Sequence, residues 1–192
     1  MAVLSALLAR GGRWALLASA FLLLAREGYL AGQAPQAPEY QVKAVFLFNF
    51  AQFVDWPAEA FPDSNTPLVI GVLGDDPFGK VLDQTVRDEH LGRRPFQLRR
   101  YQRVDEIKTC HILFISKSAE SPPEEILAGL KNRPILTVSE VNRFAERGGM
   151  IRFVTDRSRI RLQINLAAAE AAHLTIGSKL LRVAEIVTST GR

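Results

Sequence analysis

The chain has 192 residues, 47% of them hydrophobic and 23% charged, with a formal net charge of +4. That composition is globular and excludes a disordered chain. A lone cysteine, Cys110, excludes a disulfide within the chain, so the core must hold the fold without a covalent staple.

The N-terminal stretch stands apart. Arg10 and Arg13 precede an apolar run from Trp14 to Ala25, and small and polar residues follow from Gly28 to Pro38. This order marks a secretory signal, shorter than the ~20 residues of a transmembrane helix. Gly32-Gln33-Ala34 fits the cleavage pattern. Residues 1–34 are therefore read as signal peptide and exit segment, and 35–192 as one domain. Loss of Arg10, Arg13, Arg26 and Glu27 leaves the domain at net +2, which weakens any case for nucleic acid.

Residues 39–56 read as a helix, apolar almost all round and stopped by Pro57. Gln41, Gln52 and Asp55 share a polar stripe that also holds Phe48. LVIGVLG (68–74) reads as a strand buried on both faces. Asp76 and Pro77 then offer a helix cap and first turn, with Phe78, Val81, Leu82 and Val86 on the apolar side. FQLRRY (96–101), HILFIS (111–116) and PILTV (134–138) read as strands, and EEILAGLK (124–131) as a short helix. SEVNRFAERGG (139–149) is expected to be a helix capped by Ser139 and ended by Gly148-Gly149.

MIRFVT (150–155) and RIRLQIN (159–165) flank a turn at 156–158. Ile160, Leu162 and Ile164 alternate with Arg159, Arg161 and Gln163, the pattern of a strand with one wet face. NLAAAEAAH (165–173) reads as helix, and 176–187 as an amphipathic helix with Lys179 and Arg182 outward. This alternation predicts an α/β fold: three layers, a mostly parallel central sheet with helices on both faces, and a C-terminal antiparallel hairpin.

Catalytic constellations are missing from the sequence. His90, His111 and His173 are scattered, no metal-ligand spacing occurs, and no nucleophile elbow, phosphate loop or dinucleotide fingerprint is present. No cofactor or metal is expected. Asp75 and Asp76 lie at a strand end, as in phosphate-accepting receiver domains, but Ser116 stands where those need a third aspartate. Two basic groups remain: Arg93, Arg94, Arg99, Arg100 and Arg103, and the hairpin set Arg152, Arg157, Arg159 and Arg161.

Five stretches together resemble the YfiR family of periplasmic proteins: KAVFLFNFAQFVDWP (43–57), IGVLGDDPFGKVL (70–82), CHILFIS (110–116), ILTVSEVNRFAERGGMIRF (135–153) and RLQINLAAAEAAHLTIGSKLLRVAEIV (161–187). The resemblance implies a non-enzymatic periplasmic α/β domain. It implies repression of an inner-membrane diguanylate cyclase through its periplasmic portion, which lowers cyclic di-GMP and biofilm. It also implies sequestration by an OmpA-type outer-membrane lipoprotein, and a homodimer in some members. The lone Cys110 departs from members that carry several cysteines. Within the matched stretches the expected partner-binding residues are Phe48, Gln52, Asp55, Trp56, Arg152, Arg159, Arg161, Lys179 and Arg182, because aromatic and arginine side chains anchor interfaces. The competing expectation is a small-ligand module that uses the loop 75–79 and feeds a sensor histidine kinase.

Overall fold

A computed structural model describes residues 38–157 and 159–189. The expected leader, its cleavage point and Ser158 of the expected turn lie outside the described residues.

The first element, α1 (Pro38–Phe53), is a helix that turns Ala44, Leu47, Phe50 and Ala51 inward. It ends three residues before the expected stop. Val54–Asp55 (β1) leaves the helix to pair antiparallel with Thr175–Ile176 (β9). Leu68–Leu73 (β2) is buried at all six positions. There follow α2 (Lys80–Val86), β3 (His90–Leu91), β4 (Arg94–Tyr101), β5 (Ile112–Ile115), α3 (Pro123–Gly129) and β6 (Leu136–Ser139). The chain continues with β7 (Ile151–Asp156), β8 (Arg159–Ile164), α4 (Leu166–Ala171), β9, α5 (Ser178–Leu181) and β10 (Ala184–Ile186).

Eight strands form one sheet in the order β10-β8-β7-β6-β5-β2-β4-β3. Its middle five, from β4 to β7, are parallel. β7 and β8 form the expected antiparallel hairpin, and β10 adds parallel to β8. The α/β expectation of three layers, a mostly parallel sheet and a C-terminal hairpin is what the structure has. β2 sits centrally with its successors on either side, so the switch in chain direction falls beside it, where doubly wound sheets place ligands.

Each sheet face carries its own core. On one face Phe50, Phe78, Leu82, Val72, Phe114 and Phe153 pack beneath α1 and α2. On the other, Leu73, Tyr101, Leu113, Ile115, Ile126 and Phe144 pack beneath α3, the 3₁₀ turn Val104–Glu106 and the turns after β6.

Three local readings differ from the structure. Residues 140–149 form turns, not a helix. Ser139 is a strand residue whose hydroxyl donates to the Ile115 carbonyl at 2.7 Å and accepts the Val141 N–H. Arg143 then takes a positive φ of 57°, and Gly149 lies so close under Phe144 that a Cβ there would sit 2.1 Å from the ring. Helical periodicity in this stretch loses to that local packing. The C-terminal segment 176–187 divides into β9, α5 and β10, because the Gly177 N–H bonds the Phe53 carbonyl at 2.7 Å and the Val187 N–H bonds that of Ile164. Sheet-edge pairing, favoured by β-branched Val183, Ile186 and Val187, ends the helix after four residues. The helix after Asp76 begins only at Lys80, with Gly79 as its cap.

Candidate functional site

The hairpin brings three of the expected residues together. Across it, Arg152 faces Gln163, Val154 faces Arg161, and Asp156 faces Arg159. Successive strand residues alternate sides, so these six share one sheet face, while Ile151, Phe153, Leu162 and Ile164 turn into the first core. Arg152 is half-buried; its Nη1 donates to Gln163 Oε1 at 3.0 Å and its Nη2 to Asn142 Oδ1 at 2.9 Å. Its buried Nε has no hydrogen-bond partner among the described residues. Arg161 pairs with Asp156 at 3.0 Å, but both are well exposed, so the pair contributes at most ~1 kcal/mol. Arg159 is exposed.

The other expected residues lie elsewhere. Phe48 is half-buried and packs on Phe96 with ring centroids 4.9 Å apart, so it seals α1 to β4. Gln52 and Asp55 are exposed. Trp56 is half-buried against Phe61 and His111. Lys179 and Arg182 are exposed on and just after α5. The Phe53–Gly177 bond ties the end of α1 to the start of α5, so Lys179 and Arg182 follow the end of α1, while Phe48 faces β4 and Trp56 faces His111; none of them lies on the hairpin face.

Much of the first basic group is engaged internally. Arg94 lies 4.0 Å over the Phe61 ring and donates to the Asp63 and Thr66 carbonyls. Arg100 bonds both Asp76 and Asp83, and Arg103 bonds Asp105. The strand-end acids are likewise committed: Asp76 Oδ1 accepts the N–H groups of Phe78 and Gly79, and the Asp75 N–H donates to Ser118 Oγ. The Ser116 and Ser118 hydroxyls pair at 3.1 Å. A Cβ on Gly74 would meet the backbone of Ala119 at 2.9 Å, so the chain's own loop covers the crevice beside β2. An open cleft of about 270 Å³ survives next to it, between Gln102–Asp105 and Ala119–Ser121. Burial pushes the Cys110 thiol up to about 12, which makes it an inert packing residue.

The sequence reading missed Lys43. Its side chain is fully buried in α1, with the ammonium between the carboxylates of Glu39 and Glu140 and 4.7 Å from the centre of the Tyr40 ring. The i,i+4 spacing of Glu39 and Lys43 was a readable signal; the contact with Glu140, across 97 positions, was not.

With this geometry in place, comparison with known families is decisive. Residues 40–185 match the YfiR/HmsC-like family over most of the chain. The chain belongs to that family. A search of curated proteins gave no match. The YfiR/HmsC-like family is a periplasmic, regulatory one linked to diguanylate cyclases, and at that level the chain is a periplasmic regulator of a diguanylate cyclase. Among the described residues no helix is long and apolar enough to cross a membrane.

Proposed function

We propose that this chain represses an inner-membrane diguanylate cyclase by binding the cyclase's periplasmic portion, without catalysing a reaction. In this reading residues 1–34 direct export and are removed. An OmpA-type outer-membrane lipoprotein relieves the repression by sequestering the protein, and the active form is a homodimer. The observation that carries the reading is the arginine-bearing hairpin face, joined to a family whose members are regulators. Aromatic and arginine side chains that keep open hydrogen-bonding capacity are what interfaces use.

The test is genetic. Deleting the gene should raise cyclic di-GMP and biofilm, and re-expression of the wild-type chain should reverse both. Unchanged cyclic di-GMP in a strain that expresses the cyclase would overturn the proposal.

A second reading rests on the open cleft between Gln102–Asp105 and Ala119–Ser121: a small-ligand module that feeds a sensor histidine kinase. A ligand bound to the native state raises its unfolding temperature, so a thermal-shift screen of metabolites that stays flat argues against it.

A further inference from the structure

The two sheet faces are not equally covered. Through the middle of the sheet both are sealed: β2, β5 and β6 are buried at every position. On the face covered by α3 and the turns after β6, that cover stops at β7. Beyond it, Val154 and Gln163 are half-buried, while Arg159, Arg161 and Glu185 are exposed. No described helix lies over this part of the hairpin, although α1 covers its other side through Phe46, Phe50 and Phe153. The parallel strands carry helices on both faces, whereas the antiparallel hairpin leaves one face open, as such strands commonly do. This open face lies where a further helix would extend the outer layer.

The chemistry of the open face is specific. Its floor is Val154, and its walls are guanidinium groups from two strands. Arg159 makes no ion pair or side-chain hydrogen bond with any described residue, whereas Arg152 already serves Gln163 and Asn142. Among the described residues Arg161 is held by Asp156 alone. Arg159 and Arg161 are alternate strand residues, about 6.6 Å apart at the ~3.3 Å rise of a strand. Carboxylates at i and i+4 of a helix are spaced closely enough to meet both. Residues 1–37 carry three arginines and one glutamate, so the chain's own N-terminal segment has the wrong charge for this seat.

We infer that the face of Arg152, Val154, Arg159 and Arg161 seats an acidic amphipathic helix of a protein partner, which extends the outer helical layer. This rests on the regulatory reading above and names the partner element that it requires.

The test uses the ¹⁵N-labelled protein as it exists after export, residues 35–192, and two synthetic helices. One carries glutamates along the edge of a leucine stripe; the other carries lysines in their place. The glutamate helix should shift the amide signals of Val154, Arg159, Arg161 and Gln163, and the lysine helix should not. The Arg159→Glu/Arg161→Glu variant, with an unchanged spectrum away from the hairpin, should lose roughly tenfold or more in affinity for the glutamate helix and respond instead to the lysine helix. Equal response to both helices, or shifts centred on α1, would overturn the inference. So would hairpin signals that change with protein concentration alone, since a second copy would then occupy the face. The readout does not involve the cyclase: a surface that passes while the deletion leaves cyclic di-GMP unchanged sinks the regulatory reading alone.

Discussion

Lys43 and Glu140 form a buried ion pair that fastens the first turns of α1 to the carboxyl end of β6. Neither group is alone. Glu140 also accepts the Tyr40 hydroxyl at 2.9 Å and lies 3.4 Å from Lys117, and Glu39 accepts from Thr155. Burial and the Glu140 carboxylate push the Tyr40 phenol up to about 12, so it stays a donor. Removing one partner of a buried pair leaves the other uncompensated, at a cost of about 3 kcal/mol. Lys43→Met should therefore lower the urea-unfolding free energy by about that amount. Lys43→Met/Glu140→Gln should cost less than the two single changes together. A Lys43→Met protein as stable as wild type would show that the pair does not hold α1.

His111 makes a different kind of tie. Its Nδ1 accepts the Val69 N–H at 3.0 Å, its Nε2 donates to the Ala60 carbonyl at 3.1 Å, and its ring stacks on Phe61 at 4.4 Å. A protonated ring has no acceptor to offer Val69. Burial, helped by the charge of Arg94, holds His111 below the ordinary imidazole range, against the pull of the Ala60 carbonyl. A base depressed in the folded state binds fewer protons there than when unfolded. Its stabilisation is therefore present above the unfolded value of about 6.5 and is lost as pH falls toward the folded value. Unfolding midpoints should drop as pH falls below about 6.5, and His111→Gln should flatten that slope. Glu39 and Glu140 act in a separate window. Lys43 is the main cause holding Glu39 down; for Glu140, burial pushes up, but Lys43, Tyr40 and Lys117 prevail. Their stabilisation is lost only below about pH 4.5. A wild-type slope that persists in His111→Gln would remove the histidine from the account.

The loop after β2 separates a structural role from a chemical one. Asp76 is nearly buried and serves two backbone N–H groups and Arg100, whereas Asp83, among the described residues, serves the Arg100 guanidinium alone. Asp76→Ala should cost about 1–2 kcal/mol and Asp83→Ala under about 1 kcal/mol, both measured by urea unfolding. Neither should abolish control of cyclic di-GMP once the protein is folded. Loss of control in a folded, undiminished Asp76→Asn protein would reopen a chemical role for the strand-end acids.

The strands were legible because burial dictates their composition. LVIGVLG and HILFIS are short apolar runs rich in β-branched residues, the composition of strands buried on both faces, and the Arg159–Gln163 alternation displays its own wet face. The hairpin arginines were legible for the same reason, since period two puts them on one side of the sheet. What the sequence hid depends on distant partners. The ring of Phe96 turns Phe48 from an exposed stripe residue into a seam, and Glu140 makes a buried lysine tolerable in α1. Residues 140–149 and 176–187 have helical periodicity, but packing of Phe144 on Gly149 and pairing of β10 with β8 decide their conformations. No window of local sequence contains those competitors.

Gly71 gives the most direct test of the second core. It lies mid-strand in β2, and a Cβ there would sit 2.9 Å from Cys110 Sγ, 2.9 Å from Tyr101 Cε2 and 3.0 Å from Leu113 Cδ1. The Tyr101 ring cannot retreat easily, because its hydroxyl is bonded to the Thr109 carbonyl at 3.0 Å. Overpacking of this kind costs about 1–3 kcal/mol. Gly71→Ala should therefore destabilise by about that much in urea unfolding, with the spectrum of the first core unchanged. Cys110→Ala removes the sulfur that the new methyl group meets, so the double variant should be less destabilised than the two single effects add up to. Additive effects would show that Tyr101 and Leu113, and not Cys110, set the space at Gly71. A Gly71→Ala protein as stable as wild type would show that β2 and β4 stand further apart than this packing requires.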